Sequence, residues 1–145
     1  MKTLSKKLLK ISNEQILTLD KIAIEVYNKK LNPEKWSKKE IAGHLIDSAQ
    51  NNIQRFIRGQ YEVEPSINYN PDFWVKLNNY QNADLKNLLR LLYSLNEQIV
   101  VIWENIPTED LSRKCMSGDN LVTIEWLMED YLTHLQHHLL QIHKA

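Results

Sequence analysis

The chain has 145 residues, enough for one domain, and its 18 basic and 18 acidic side chains cancel. Balanced charge excludes the strong positive field that attracts nucleic acids and anionic membranes, so neither is expected as a partner. Three glycines and four prolines are too few for a fold of many short strands. A single cysteine excludes an intrachain disulfide and fits a cytoplasmic protein.

The first 36 residues carry a mixed pattern. Apolar residues in the first 17 positions recur at helical spacing and predict a helix to about residue 19. Ile22, Ile24 and Val26 then fall at every second position, as in an extended segment. We expect irregular structure from there to Pro33.

The second helix has clear boundaries. Ser37 and Glu40 have the spacing of a capping box, in which each side chain accepts a hydrogen bond from a backbone N–H near the helix start. Gly59 follows Arg58 and is expected to stop the helix. The residues between them carry one apolar side, made of Ile41, Ala42, Leu45, Ala49, Ile53 and Phe56.

Two long polar connections flank the next helix. The first, residues 60–81, contains Pro65 and Pro71, with a short helical turn expected around residues 73–77. A connection of this length can cross the bundle and join parallel neighbours. The second, residues 107–122, is expected to be a loop in which Cys115 is an unremarkable thiol.

Two further amphipathic helices complete the pattern. One carries an apolar stripe from Leu85 to Ile106 and ends at Pro107. The last begins near Thr123 and continues to Ile142. The sequence therefore predicts an all-α fold, a four-helix bundle with a long crossover, in which residues 1–145 form a single domain.

Two histidines of the last helix have metal-ligand spacing. His134 and His138 lie four residues apart, so both project from one face of the helix, one turn above the other. Helices present imidazole pairs to a metal ion at this spacing in zinc proteases. The intervening residues lack the glutamate that serves as the protease base, which excludes that mechanism. Both rings are expected to face the bundle interior, and core histidines bonded to backbone or carboxylates are the alternative.

A third ligand and a polar wall are expected on the second helix. Catalytic metal sites commonly have three protein ligands, and His44 is the only histidine outside the last helix. Ser48, Asn52 and Arg55 continue from it at about one-turn spacing. They are candidate substrate-pocket residues, and the Arg55 guanidinium could bind an anionic group. A solvated helix face is the alternative.

Further polar residues could support the ligands. Asp130 and Glu40 each precede a candidate ligand by four residues and could accept a hydrogen bond from its distal N–H. Asp47 follows His44 by three residues and could hold a water molecule beside the ion. His137 is expected to contact the ligands from outside or to face solvent. For the three carboxylates, a surface or helix-cap role is the alternative.

Three segments resemble motifs of one family. Residues 35–48, followed by Asn52 and Arg55, resemble the second-helix signature of the DinB/YfiT-like superfamily. Residues 68–74 resemble its YxxxxW connection, and residues 130–142 resemble its closing H-x-x-H-H-x-x-Q-I helix. The three segments occur in the family's order and span most of the chain beyond its first 34 residues.

The resemblance implies a divalent transition metal, usually nickel or zinc, held by His44, His134 and His138. It also implies a small-molecule substrate and a homodimer. Some members of the family are transferases or isomerases that use a low-molecular-weight thiol such as bacillithiol or mycothiol, and others are labelled hydrolases. A metal-dependent thiol S-transferase or hydrolase is therefore expected. The alternative is a non-catalytic metal- or ligand-binding bundle with a role in a stress response.

Overall fold

The computed structural model describes residues 1–144. In this range four long helices form a bundle, and shorter elements lie in the connections. No helix within these residues is both long and apolar enough to cross a membrane. The α-helices are α1 (Thr3–Ile11), α2 (Ile24–Asn28), α3 (Lys38–Arg58), α4 (Pro71–Leu77), α5 (Leu85–Glu104) and α6 (Ile124–His143), and the strands are β1 (Lys114–Ser117) and β2 (Asn120–Thr123).

α3 and α5 are parallel neighbours. The Ser37 hydroxyl is hydrogen-bonded to Gln81 near the starts of both helices, and the Phe56 and Trp103 rings meet near their ends. The connection that contains α4 therefore runs back along the bundle, as predicted. The all-α four-helix bundle with a long crossover is confirmed, and a two-stranded hairpin is a small addition to it.

α6 runs antiparallel to α3. It places His134 beside His44, and its first residue, Ile124, lies beside Gly59. Gly59 follows the last residue of α3 as predicted, but its φ of −60° is one that any residue adopts. A Cβ at Gly59 would lie 2.7 Å from the Arg55 carbonyl oxygen and 3.2 Å from the Ile124 side chain. Lack of space beside the Arg55 carbonyl oxygen and, less tightly, beside Ile124 of α6 therefore favours glycine here, rather than a left-handed turn.

Side-chain caps set the starts of α3 and α6. The Ser37 hydroxyl accepts a hydrogen bond from the Glu40 backbone N–H at 3.1 Å, and the Glu40 carboxylate accepts one from the Ser37 N–H at 3.0 Å. The predicted capping box is confirmed. The Thr123 hydroxyl accepts from the Trp126 N–H at 3.0 Å, so α6 also begins where predicted.

The N-terminal segment differs from its prediction. α1 continues into a π-helical turn over Ser12–Ile16, and α2 stands where an irregular, extended segment was expected. That prediction was wrong for residues 24–28, because tertiary contacts hold α2, whereas residues 29–33 form no helix or strand, as expected. Tyr27 is buried, and its hydroxyl donates to the Leu19 carbonyl oxygen at 2.7 Å. Two of the three residues whose spacing suggested an extended segment, Ile24 and Val26, are exposed.

Residues 107–122 contain most of a β-hairpin, so the prediction of a plain loop there was wrong. β1 and β2 pair antiparallel with Cys115 opposite Val122, and Gly118 has a φ of +59° in the turn between them. Gly118-Asp119 is a dipeptide typical of tight hairpin turns, so the sequence does contain a signal for this hairpin. Cys115 is buried in β1, where its thiol donates to the Pro65 carbonyl oxygen and burial raises its pKa. The thiol is therefore a structural group and a poor nucleophile.

Candidate metal centre

Three histidines meet between α3 and α6. The antiparallel packing brings His44 against His134 and His138, with ring centroids 5.0 and 4.9 Å away. His44 Nε2 lies 3.1 Å from His134 Nε2, and one ring nitrogen from each histidine lies within 4.8 Å of the others. The structure therefore brings together the three residues predicted as metal ligands.

Burial keeps these imidazoles uncharged. Burial first, and then the neighbouring histidines, lower the pKa of His44 to about 3 and that of His134 to about 4. Burial also lowers the pKa of His138. Neutral imidazole carries a free lone pair on one ring nitrogen, which is the form that binds a metal ion. A donor set of three such nitrogens fits zinc or nickel.

The outer faces of the ligand rings have distinct contacts. His138 Nδ1 lies 2.8 Å from Gln141 Oε1, so an N–H at Nδ1 donates to the amide and leaves Nε2 free for a metal. Trp36 covers the His44 ring, with the ring centroids 4.7 Å apart. His137 is exposed, and its ring centroid lies 5.0 Å from that of His138. Gln141 and Trp36 were not predicted as site residues, although both lie inside the family motifs of the sequence.

Ser48, Asn52 and Arg55 form one hydrogen-bonded line along α3. The buried Asn52 amide donates to the Ser48 carbonyl oxygen at 2.8 Å and to the Ser48 hydroxyl at 3.3 Å. Arg55 Nη1 donates to Asn52 Oδ1 at 3.2 Å, and its Nε and Nη2 donate to the Ile67 carbonyl oxygen at 3.1 and 2.6 Å. The line begins at Ser48, one turn from His44, and runs along α3 to Arg55, so Ser48 is the predicted pocket residue nearest His44 along the helix. Arg55 also fastens the crossover to α3.

Tyr69 reaches this polar line from the crossover. Burial raises the pKa of Tyr69, whereas the nearby Arg55 charge and the nearby Ser48 side chain lower it. Trp74 packs edge-on against the ring, with the centroids 5.5 Å apart. Tyr69 was not predicted as a pocket residue, and its place in the YxxxxW motif was the signal that could have identified it.

Asp47 is buried beneath the same part of α3. The Tyr80 hydroxyl donates to Asp47 Oδ1 at 2.6 Å, and the Asn78 amide donates to the same oxygen at 3.3 Å. Burial raises the pKa of Asp47 to about 6, and the hydrogen bond from Tyr80 opposes this shift. Tyr80 reaches Asp47 because Gly43 has no side chain: a Cβ there would lie 2.1 Å from the Tyr80 ring. A surface role for Asp47 is therefore excluded.

The other two candidate carboxylates have the surface and helix-cap roles that were the alternative to orienting a ligand. Asp130 is exposed, and within residues 1–144 no hydrogen bond joins it to His134. Burial of part of its carboxyl raises its pKa, and the Arg55 charge lowers it. Glu40 is occupied by the capping box and by an ion pair with Lys30, 2.6 Å long. Neither carboxylate orients a ligand ring in this structure.

A cavity of about 570 Å³ lies away from the histidines, between the π-helical end of α1 and the start of α5. Its walls come from the α1 and α5 side of the bundle, whereas the histidine cluster belongs to α3 and α6. The candidate site is therefore defined by the chemistry of its donor atoms, and not by the size of a cavity.

The fold and the histidine cluster define a helical bundle with a candidate metal centre. The family model described as the DinB superfamily matches residues 14–142, so the chain belongs to the DinB superfamily. This confirms the family that the sequence motifs resembled.

Similar proteins support the same fold. YfiT of Bacillus subtilis (strain 168) is 26% identical over 110 residues, which cover 74% of this chain but 62%, less than two thirds, of YfiT. Its solved structure, described as a probable metal-dependent hydrolase with an unusual four-helix bundle topology, superposes with a TM-score of 0.82, 22% identity and coverage of 95% of this chain and 83% of that one. A mycothiol-dependent maleylpyruvate isomerase superposes with a TM-score of 0.80, 10% identity and coverage of 97% and 59%.

Proposed function

We propose that this protein is a divalent-metal-dependent enzyme that acts on a small molecule, with His44, His134 and His138 as the metal ligands. The observation that carries the proposal is the cluster of three uncharged imidazoles, whose ring nitrogens lie within 4.8 Å of one another. Burying polar rings together costs free energy unless they share a partner, and a divalent transition metal is a partner that all three accept. The similarity to YfiT supports the proposal.

The residues beside the cluster suit a substrate pocket. A divalent ion held by His44, His134 and His138 would supply Lewis acidity to a bound substrate. Three of the five N–H groups of Arg55 donate hydrogen bonds to Asn52 and Ile67, and the other two can bind a carboxylate or phosphate of the substrate. The Tyr69 hydroxyl can orient the same molecule, and Trp36 shields the His44 ring from water.

Hydrolysis is the reaction that we propose first, because YfiT is described as a probable metal-dependent hydrolase. Transfer from a low-molecular-weight thiol cofactor is the second candidate, since the chain shares its fold with a mycothiol-dependent isomerase. Imidazole suits both nickel and zinc, and both ions are therefore tested. A non-catalytic metal- or ligand-binding bundle with a stress-response role is the alternative.

Metal content tests the site directly. Protein purified without a nickel column is analysed for metal as wild type, His138→Ala and His137→Ala. We expect about one ion per chain in the wild type and in His137→Ala, and almost none in His138→Ala, because loss of one of three ligands weakens a metal site severely. His137 is the matched control, since it is adjacent in sequence but exposed. Equal metal content in all three proteins would remove the site.

Activity assays separate the reaction classes. Zinc- and nickel-loaded protein is given a panel of small esters and amides, and separately the electrophile monochlorobimane with bacillithiol, mycothiol or other bacterial thiols. Metal-dependent turnover of the first panel supports a hydrolase, and thiol-dependent turnover of the second supports a transferase. Absence of turnover in both, with metal bound, would favour the non-catalytic bundle.

We also propose a homodimer, which rests on the resemblance to the superfamily. Sedimentation equilibrium of the zinc-loaded chain is expected to give twice the chain mass of 17.2 kDa. A single species at the chain mass would contradict the proposal.

A further inference from the structure

Two buried atoms next to the metal centre have no hydrogen-bond partner. Within residues 1–144, His44 Nδ1 and Asp47 Oδ2 are both buried and unpaired. The side chains are almost fully enclosed, with 4% of His44 and none of Asp47 exposed to solvent. Buried polar atoms in proteins are nearly always paired, so two unpaired atoms three residues apart on one helix require an explanation.

Position and chemistry make these two atoms complementary. Residues three apart on a helix are surface neighbours, with Cβ atoms roughly 5–6 Å from each other. When Nε2 of His44, which faces His134, binds the metal of the proposed function, the proton of the neutral ring is carried by Nδ1 on the other side of the ring. His44 Nδ1 is therefore a donor without an acceptor, and Asp47 Oδ2 is an acceptor without a donor. A single buried water molecule can accept from the first atom and donate to the second.

The Asp47 carboxylate is held in a fixed orientation. Its other oxygen, Oδ1, accepts hydrogen bonds from the Tyr80 hydroxyl and the Asn78 amide. The Tyr80 ring is seated against Gly43, one residue before His44. These contacts fix the rotation of the carboxylate and leave Oδ2 as its one oxygen without a partner.

We propose that Asp47 is a positioning residue that holds the Nδ1–H of His44 through one buried water molecule. This fixes the tautomer and ring angle of His44 with Nε2 directed at the metal, as Gln141 does for His138. The inference rests on the proposed function, because it requires a metal at the three histidines. It assigns to Asp47 a water-mediated link to a ligand ring, and no contact with the substrate.

Zinc titration of purified apoprotein tests the inference, with Asp47→Asn as the variant and Tyr80→Phe as the matched control. Asparagine keeps the size of the side chain but removes the charged acceptor. Tyr80→Phe removes one of the two hydrogen bonds at Oδ1, and the Asn78 amide still holds this oxygen, so Oδ2 keeps its place. We expect zinc affinity to fall by about 10- to 100-fold in Asp47→Asn, and by less than about threefold in Tyr80→Phe. Thermal unfolding of the two apoproteins shows whether either variant is misfolded.

Nuclear magnetic resonance of zinc-loaded, ¹⁵N-histidine-labelled protein gives a second readout. We expect a slowly exchanging Nδ1–H signal from His44 that exchanges faster with water in Asp47→Asn and is retained in Tyr80→Phe. An unchanged affinity and signal in Asp47→Asn would overturn the inference while leaving the metal site intact. The inference would also be overturned if, in both variants, the loss of zinc affinity were in proportion to the loss of apoprotein stability. Asp47 would then have only a structural role. A wild type that binds no zinc would overturn both the inference and the proposed function.

Discussion

The two ends of α3 contact opposite kinds of residue. At the histidine end, α3 buries His44 and Asp47, and removing such groups from water costs free energy. At the other end of α3, the Phe56 ring packs edge to face with Trp103 and Tyr131, and the three ring centroids are 5.4 to 6.1 Å apart. Buried aromatic rings contribute much of the stability of a core. The aromatic end therefore stabilises the fold, which allows the histidine end to keep costly polar groups in place.

Truncation at the aromatic end gives the largest expected loss of stability. Phe56→Ala removes a fully buried ring that contacts both other aromatics, and we expect a loss of about 3–5 kcal/mol in the free energy of unfolding. Zinc at 100 times its Kd should still add about 2.7 kcal/mol to the free energy of unfolding, because Phe56 is not a metal ligand and lies at the other end of α3 from His44. Urea denaturation with and without zinc measures both quantities.

Phe56→Leu is the milder control for this comparison, since it keeps most of the apolar volume. It should lose less stability and keep the same zinc increment. If the increment disappears in either variant while the protein remains folded, the two ends are energetically coupled and the comparison fails.

A change at the histidine end has the next largest effect. Gly43→Ala would place a Cβ 2.1 Å from the Tyr80 ring, so Tyr80 must move and its hydrogen bond to Asp47 is lost. We expect the free energy of unfolding to fall by about 1–3 kcal/mol, as for other overpacked sites. Chemical denaturation of Gly43→Ala, Tyr80→Ala and the double variant measures this loss of stability. The double variant should lose less than the sum of the single losses, and strict additivity would show that the two residues do not clash.

The smallest expected effect is the dependence of apoprotein stability on pH. The pKa values of His44 and His134 are about 3 and 4 in the folded chain against an ordinary 6.5, so the unfolded chain binds more protons below pH 6.5. The contribution of these two neutral histidines to the free energy of unfolding is fully present above pH 6.5, and it is lost as the pH falls toward 4. Asp47 acts in the opposite direction, because its folded pKa of about 6 exceeds its ordinary 3.8. Two histidines outweigh one carboxylate, and we expect a net loss of about 2 kcal/mol between pH 6.5 and 5.

Urea denaturation of the metal-free protein at several pH values measures this loss, with His44→Gln as the control. Glutamine does not titrate, so the control should show a flatter profile in the same window. Profiles that coincide would mean that His44 is not held neutral by burial.

Local signals in the sequence predicted most of the bundle. The capping box of Ser37 and Glu40, the Thr123 cap and the apolar stripes act within one or two helical turns, so they can be read from neighbouring residues. α2 could not be predicted in this way, because a helix of five residues is too short to be stable alone and depends on the burial of Tyr27.

The sequence by itself determined the pairing of His134 and His138 on one face of α6, because helix geometry alone places residues four apart together. Only the tertiary structure decided that His44 joins them, that Asp47 is buried beside it, and that Asp130 is left on the surface. The physical reason is that these outcomes depend on how α3, α6 and the crossover pack. Burial and hydrogen-bond partners across separate helices are set by that packing, and no spacing within a single helix encodes them.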